Sequence, residues 1–297
     1  MTTAVIGSML RGSIPALVTP FDGEGWSRNQ LESLVEWHID EGSAALVVCG
    51  TTGESPTLGE QEQIDIIRAA VAVADRRIPI VAGAGSNATA TAIELTRAAE
   101  AAGADATLHV SGYYNKPTSR QLVAHFHAVA DAARKPVLLY DIPQRAAVAL
   151  TTDEVLAIAA HERIVGVKDS TGDLGRLTSE RIAVSGEFAF LSGDDFSAMA
   201  YLSAGGRGWV SVVANVAPRL CAELVAAVAS MDLATARRIN DLLHPLALAL
   251  ALEPNPAGPK YALSRLGRCS PEVRAPLTSV SNDTASRIDA ALAAVIG

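Results

Sequence analysis

Short apolar runs recur along the whole chain, and helical patterns lie between them. A short apolar run bounded by glycine or polar turn residues is typical of a buried strand. Eight such runs begin about 20–35 residues apart, close to the length of one strand–helix unit, and they are Ile14–Val18, Ala45–Val48, Ile78–Ala82, Ala106–Val110, Val137–Tyr140, Ile164–Val167, Phe188–Leu191 and Trp209–Val213. Amphipathic helices are predicted from apolar spacings of three and four, most clearly in the sets Leu31, Leu34, Val35, His38 and Ile39, and Leu122, Phe126, Val129, Ala130 and Ala133. Asn87, ahead of a run rich in alanine and threonine, predicts the cap of a further helix.

Eight strands alternating with helices predict an α/β protein, a parallel (β/α)₈ or TIM barrel. An open doubly wound sheet is the alternative. That fold often carries a GxGxxG motif opening the helix after its first strand, and no such motif is found there. The barrel is therefore the favoured architecture.

The chain changes character after the eighth run. Leu220–Leu252 is helical in composition, with Pro245 as its one proline, and the segment 253–259 (EPNPAGP) then breaks the pattern. Helical sequence returns and ends in Ser286–Ile296. We therefore predict a catalytic barrel over residues 1–223 and a helical appendage over residues 224–297.

Composition excludes several classes of function. The 297 residues are 49% hydrophobic and carry a net charge of −8, which argues against binding to nucleic acid or to an anionic membrane surface. No apolar run approaches the length of a membrane span, and Met1–Arg11 lacks the basic start of a signal peptide. Three cysteines, Cys49, Cys221 and Cys269, without CxxC spacing indicate buried thiols in a reducing compartment. A soluble, cytoplasmic protein is expected.

One lysine is placed where chemistry is possible. Only four lysines occur, against twenty arginines, and Lys168 directly follows the apolar run Ile164–Val167. A desolvated lysine can lose its proton, whereas an arginine in a protein cannot, so Lys168 is a candidate amine nucleophile. The simpler alternative is a lysine that marks the point where a strand emerges into water.

Polar or glycine-rich segments follow the other strands, at the end of the barrel where active sites of this fold lie. Gly50–Ser55 (GTTGES) offers threonine hydroxyls and amides to a small carboxylate, although an ordinary polar turn would look similar. Tyr140 ends the fifth run one β/α unit before Lys168, so the two can meet. The remaining segments are Ser111–Pro117, Asp141–Arg145, Ser192–Asp195 and Gly208–Ser211.

Taken in order, these motifs resemble the dihydrodipicolinate synthase family of class I, pyruvate-dependent aldolases, which also includes N-acetylneuraminate lyase. The resemblance covers nearly the whole chain, from Gly12–Phe21 through GTTGESPTL, YYNKP, LLYDIPQR, GVKDSTG, LSGDD and EPNPAGPK. It implies a lyase that condenses pyruvate with L-aspartate 4-semialdehyde to 4-hydroxy-tetrahydrodipicolinate, on the way to diaminopimelate and lysine.

The resemblance also implies catalytic roles. Lys168 is expected to form a Schiff base with pyruvate, and Tyr140 to relay protons to and from the adduct. Thr51 and Tyr114 are expected to complete this hydrogen-bonded relay, with Tyr114 supplied by a partner subunit. An iminium is itself an electron sink, so no cofactor is needed. No metal is expected, and the six histidines show no convincing ligand spacing.

Substrate contacts follow from the same resemblance. Thr51 and Thr52 are expected to hold the pyruvate carboxylate, and Arg145 the carboxylate of the aldehyde, since a guanidinium binds a carboxylate two-pronged. Gly193 and Val210 are expected to shape the pocket through backbone contacts.

The family implies assembly and regulation as well. Many relatives are tetramers made of two dimers, so a homo-oligomer is expected. Lysine inhibits many of them at the tight dimer interface, near the equivalents of Ser55, Asn87 and Tyr113. Lysine-sensitive relatives carry a glutamate where this chain has Thr91, and histidines where it has Glu60 and Gln63. Weak or absent lysine inhibition is therefore expected.

Two alternatives remain open. One is a related aldolase or dehydratase that acts on a sugar-acid-derived 2-oxo acid; Gly112, Gln144 and the pair Ala146–Ala147 depart from the usual family residues around the second-substrate pocket. Thr51, where the sialic acid lyases carry serine, together with Arg145 favours the condensation. The other alternative is a catalytically inactive binding or scaffold relative, which a broken relay would indicate; here all four relay residues are present.

Overall fold

The computed structural model describes residues 10–23, 25–184 and 186–296. Most of the segment Met1–Arg11, which lacks the basic start of a signal peptide, lies outside the described residues. Within the described ranges the strands are β1 (Gly12–Pro15), β2 (Leu46–Val48), β3 (Ile80–Gly83), β4 (Ala106–Val110), β5 (Val137–Asp141), β6 (Ile164–Asp169), β7 (Ala189–Ser192) and β8 (Gly208–Ser211). The helices are α1 (Arg28–Asp40), α2 (Glu60–Ala74), α3 (Thr89–Ala101), α4 (Ser119–Ala132), α5 (Pro143–Ala146), α6 (Thr152–Ala159), α7 (Leu174–Ala183), α8 (Ala198–Ser203), α9 (Pro218–Ala229), α10 (Leu233–Leu250), α11 (Ala257–Arg265) and α12 (Asn282–Ile296), with short 3₁₀ turns at Ser55–Thr57 and Val213–Asn215.

The eight strands form one parallel sheet that curls into a barrel. Their order is β1-β8-β7-β6-β5-β4-β3-β2, and a parallel bridge from Ala16 to Val47 brings the two outer strands together. Leu17 N–H donates to the Val47 carbonyl at 2.9 Å. We call this junction of the first and second strands the seam. There the buried Asn215 side chain accepts from Val18 N–H at 3.0 Å and donates to the Ala16 carbonyl at 2.8 Å. The predicted (β/α)₈ barrel is confirmed.

Two kinds of apolar core hold the barrel. Its interior is filled by inward-facing side chains from all eight strands, including Ile14, Val47, Leu138 and Val210. Outside the strands, the surrounding helices bury a second layer. On one side this outer layer runs without a break from barrel residues such as Val48 into the C-terminal helices. The appendage therefore shares a core with the barrel, and burial of that shared apolar surface holds it in place.

Several predicted boundaries are wrong by a few residues because hydrogen bonding, and not hydrophobicity, ends a strand. β1 stops at Pro15, since Ala16–Val18 bond to β2 and to the Asn215 side chain.

Helix α3 starts at Thr89 with Ala88 at its N-cap, so the predicted cap at Asn87 is wrong. The Asn87 carbonyl instead accepts from the Asn115 side chain at 2.8 Å.

The predicted single stretch Leu220–Leu252 is two helices, α9 and α10. Met231 between them has φ 62°, a left-handed conformation that ends a helix. Asp232 then caps α10 by accepting from Thr235 N–H at 3.1 Å. The domain boundary predicted at 223/224 falls inside α9. The division into 1–223 and 224–297 stays a prediction.

A helix able to cross a membrane would have to be both long and apolar, and none of the helices in the described ranges meets both conditions.

Candidate active site

Lys168 and Tyr140 lie side by side at the C-terminal ends of β6 and β5. They are register partners in the sheet, and Lys168 Nζ lies 4.0 Å from the centroid of the Tyr140 ring. Both side chains are buried, with 5% of Lys168 exposed. This burial contradicts the alternative in which Lys168 merely marks the emergence of a strand into water.

Strand alternation and the glycine at residue 193 make room for the lysine. Successive side chains point to opposite faces of a sheet, so Lys168 faces the barrel interior while Val167 packs in the outer layer. A Cβ at Gly193 would lie 2.9 Å from Cε of Lys168 and would overlap the Ser170 hydroxyl. Only glycine permits this close approach at residue 193. Val210, 3% exposed, lines the same interior.

The surroundings of the Tyr140 phenol shift its pKa in two opposite directions. Burial by itself would raise the pKa of this phenol, because it penalises the phenolate. The Lys168 ammonium, together with the nearby hydroxyls of Thr51 and Ser170, outweighs that penalty and holds the pKa of Tyr140 below its ordinary value. A phenol of this kind, linked to a second hydroxyl, can pass protons to and from a reacting group.

The GTTGES loop after β2 wraps tightly over the barrel mouth. Thr19, at the end of the first strand segment, donates its hydroxyl to the Gly53 carbonyl at 2.8 Å. Thr52 is buried, and its hydroxyl accepts from Asn255 Nδ2 at 2.9 Å. Thr51 is half-buried and reaches Tyr140. The structure thus brings Thr51 to Tyr140, with Thr52 next to it in the same loop.

Arg145 lies on the exposed side of that mouth. It sits in the short helix α5, in the loop from β5 to α6, and its side chain is exposed. The loop is fixed at two places: the Asp141 carboxylate accepts from Leu150 N–H, and Gln144 donates to the Ser170 carbonyl at 3.0 Å. The loop is therefore anchored next to the Lys168 strand, with its guanidinium free to meet a ligand.

The paired tyrosines do not join the cluster within one chain. Tyr114 is 89% exposed and Tyr113 37% exposed, and Tyr114 has φ 66°, in the left-handed region. Asn87 lies beside them through the bond from Asn115, while Ser55 opens the 3₁₀ turn of the GTTGES loop. The structure therefore leaves the expected relay partner Tyr114 on the surface of its own chain, and of the expected effector residues Tyr113 is exposed while Ser55 and Asn87 are half-buried.

Sequence reasoning missed two buried charge clusters around the site. Behind β5 and β6, the carboxylates of Asp141, Asp169 and Glu180 surround Arg176, with ion-pair distances of 2.5, 3.1 and 3.1 Å. We call these four residues the Arg176 cluster. Arg176 also donates to the Leu150 carbonyl at 2.9 Å, which ties in the Arg145 loop. No local pattern signals such a cluster, because its members come from two strands and a helix.

The second missed cluster lies under the GTTGES loop. Lys260 of α11 donates to Glu54 Oε1 at 2.6 Å, and both side chains are fully buried. Arg274 N–H donates to Glu54 Oε2 at 2.9 Å. The signal available in the sequence was the motif EPNPAGPK, which contains Lys260 and to which no role had been attached.

Other reactive groups do not contribute to the site. Cys49, Cys221 and Cys269 are free and buried, as predicted, and burial raises the pKa of the Cys49 thiol well above its ordinary value. Among residues 10–23, 25–184 and 186–296, no group of three or more His, Cys, Asp or Glu side chains could hold a metal ion.

Comparisons with known proteins give a consistent result. The family model described as "Dihydrodipicolinate synthetase family" matches residues 9–295. A curated 4-hydroxy-tetrahydrodipicolinate synthase of Cereibacter sphaeroides is 50% identical over 284 residues, covering 96% of this chain and 98% of the relative.

Solved structures agree with the sequence match. The chloride-inhibited dihydrodipicolinate synthase of Acinetobacter baumannii, complexed with pyruvate, superposes with a TM-score of 0.94 at 40% identity, covering 96% of this chain and 99% of that one. A monomeric dihydrodipicolinate synthase variant superposes with a TM-score of 0.95 at 34% identity, covering 97% and 98%.

Proposed function

Because the chain belongs to the dihydrodipicolinate synthetase family, we propose that it is a lyase that condenses pyruvate with L-aspartate 4-semialdehyde to 4-hydroxy-tetrahydrodipicolinate. This reaction serves diaminopimelate and lysine biosynthesis. The observation that carries the proposal is the buried Lys168, 4.0 Å from the Tyr140 ring at the mouth of a barrel, in a chain 50% identical to a curated synthase.

The chemistry begins with the amine of Lys168. It adds to the ketone carbon of pyruvate, and loss of water gives an iminium, which draws electrons and acidifies the adjacent methyl group. Loss of a methyl proton gives an enamine, and this nucleophile attacks the aldehyde carbon of the second substrate. The amino group of that substrate then displaces Lys168 from the iminium carbon, closing the ring and regenerating the free lysine.

Proton transfers in these steps fall to Tyr140. It carries the proton of the carbinolamine hydroxyl and of the new alkoxide. Before the adduct forms, the Lys168 ammonium lowers the pKa of this phenol. Thr51 links the phenol to the second hydroxyl of the relay. Tyr114 completes the relay from a partner subunit, which suits a side chain that is 89% exposed in its own chain. No cofactor and no metal take part.

The two substrate carboxylates are held by two different loops of the mouth. Thr51 and Thr52 bind the pyruvate carboxylate through the GTTGES loop, and the exposed Arg145 binds the carboxylate of the semialdehyde. Gly193 and Val210 form the walls, where the absence of a Cβ at residue 193 leaves space for the adduct on Lys168. A relative with the same fold is complexed with pyruvate, which supports pyruvate as the first substrate.

The functional unit is a homo-oligomer. A site completed by Tyr114 in trans needs at least a dimer with a two-fold, isologous interface, and we infer a dimer of such dimers. Ser55, Asn87 and Tyr113 form the effector site at the tight interface, where lysine binds weakly. The three free cysteines fit a cytoplasmic location.

Borohydride trapping tests the proposal. The protein is mixed with pyruvate, reduced, digested and analysed by peptide mass spectrometry, with Lys168→Arg as the matched control. A pyruvyl adduct is expected on Lys168 in the wild type, and none in the control. An adduct on another lysine, or none at all, would overturn the mechanism.

A further inference from the structure

The motif EPNPAGPK in the C-terminal part of the chain contacts the GTTGES loop at two points. Asn255 of this motif donates to the Thr52 hydroxyl at 2.9 Å, across 203 residues of sequence. Lys260, five residues later, donates to the Glu54 carboxylate at 2.6 Å. Both acceptors belong to the GTTGES loop. The C-terminal helices thus touch the segment to which pyruvate binding is assigned.

Lys260 is held in a fully enclosed position. It has no exposed surface, and its Nζ lies 3.9 Å from the centroid of the Phe21 ring. Its second hydrogen bond goes to the Glu272 carbonyl at 2.7 Å. Burial lowers the pKa of Lys260, and the Glu54 carboxylate opposes that effect. A buried ion pair often stabilises a protein no better than apolar residues of the same volume, so stability alone is a weak explanation for it.

Glu54 is held in an unusual backbone conformation by the same contacts. Its φ of 57° lies in the left-handed region, which is strained for a residue with a side chain. Both carboxylate oxygens accept from N–H donors, Oε1 from Lys260 and Oε2 from the Arg274 backbone at 2.9 Å. The Glu54 N–H in turn donates to the Thr51 carbonyl at 3.1 Å. The position of Thr51 therefore depends on where Glu54 is anchored.

We propose that Lys260 and Glu54 are positioning residues for pyruvate, which fix the Thr51–Thr52 segment so that it fits the pyruvate carboxylate. The inference rests on the proposed function, in which these threonines bind that carboxylate. It makes the C-terminal helical part a component of the substrate site, in addition to its packing role.

Glu54→Gln is the sharpest single perturbation because it keeps the size of the side chain. Both oxygens of Glu54 face donors, so the amide NH₂ of glutamine must face one of them, and the loop has to shift. We expect KM for pyruvate to rise by about tenfold, as for the loss of one charge-assisted hydrogen bond, with kcat at saturating pyruvate within about twofold. KM does not depend on the amount of folded enzyme, so partial unfolding leaves this readout valid.

The double variant Glu54→Gln/Lys260→Met separates positioning from stability. It removes the Lys260 ammonium, which would face the NH₂ of the glutamine, and leaves no charge at either position of the pair. Thermal stability should therefore recover toward wild type. If the pair positions the loop, KM for pyruvate stays raised. Recovery of KM together with Tm would show a purely structural role and overturn the inference. Arg265→Met, which breaks the exposed pair with Asp289 in the same helical part, is the control and should change neither quantity.

Borohydride trapping distinguishes the failure of this inference from failure of the proposed function. A wild type that gives no pyruvyl adduct on Lys168 refutes the function. A wild type that gives the adduct, beside a Glu54→Gln variant with wild-type KM for pyruvate, refutes only the positioning role.

Discussion

Replacing the buried Glu180 with glutamine should stabilise the protein above neutral pH and leave it nearly unchanged in mild acid. Glu180 has no exposed surface and belongs to the Arg176 cluster, in which three carboxylates face one guanidinium. Burial raises the pKa of the Glu180 carboxyl to about 7, and the charges of Asp169 and Asp141 add to the rise, while Arg176 opposes it.

The direction of the pH effect follows from proton linkage. A carboxyl with a higher pKa in the folded than in the unfolded chain binds its proton more tightly when folded. Its contribution to stability is complete below the unfolded value of 4.5 and is lost as the pH rises through the folded value of about 7. Each pH unit in this window costs about 1.4 kcal/mol, so Glu180 removes about 3 kcal/mol of stability by pH 8.

Glutamine at residue 180 does not titrate, and its NH₂ can donate to the neighbouring carboxylates. Urea unfolding at pH 5 and pH 8 measures the effect. Between these values the stability of Glu180→Gln relative to wild type should rise by about 3 kcal/mol. The exposed Glu223 supplies the control, since Glu223→Gln should follow the wild type at both pH values. If wild type and Glu180→Gln lost stability in parallel between pH 5 and pH 8, the assignment of this titration to Glu180 would be wrong.

Four further predictions concern the site. Arg145→Ala should raise KM for L-aspartate 4-semialdehyde by about a hundredfold, through loss of a two-pronged contact, while pyruvate is still trapped on Lys168; faster turnover of sugar-acid aldehydes by the wild type would contradict the substrate assignment. Gly193→Ala puts a methyl group 2.9 Å from Cε of Lys168, so adduct formation should slow by at least about tenfold, and an unchanged trapping rate would show that the space is not needed. Tyr114→Phe subunits mixed with Lys168→Ala subunits should recover activity that neither has alone, whereas an active, stable monomer would refute action in trans. L-Lysine should inhibit about ten- to a hundredfold more weakly than in sensitive relatives, since Thr91 offers the ammonium no charged partner. Half-inhibition below about 1 mM in a steady-state titration, which corresponds to a binding free energy of about 4 kcal/mol, would contradict the predicted weak inhibition.

The barrel was predictable because its signal is local and repeated. Each strand carries its own apolar run, and errors of a few residues in where the strands begin or end do not change the number of strands. The strand boundaries were less predictable, since they depend on hydrogen-bond partners that are distant in sequence. β1 ends where Leu17 bonds to Val47, and the residues around Pro15 give no indication of that contact. The break at Met231 was missed for a similar reason, because a left-handed residue other than glycine leaves no mark in the apolar pattern.

The candidate site was predictable only in part. Lys168 and Tyr140 follow apolar runs one β/α unit apart, so their meeting follows from the order of the strands. The Arg176 cluster and the pair Glu54–Lys260 could not be predicted, because their members are distant in sequence and ordinary in composition. Long-range charge pairs need the three-dimensional fold to be recognised.

The seam at Asn215 sets the order in which the molecule can be completed during its synthesis. Val18 N–H finds its partner on Asn215, 197 residues later in the chain. A ribosome adds about 5–20 residues per second, so the first strand waits about 10–40 s for this contact. Throughout that interval one edge of the growing sheet has no neighbour and is open to pairing with another chain. The Glu54–Lys260 pair spans 206 residues and forms later still. The pocket mouth is therefore among the last parts of the nascent protein to take shape, and it does so only after the C-terminal helices have left the ribosome.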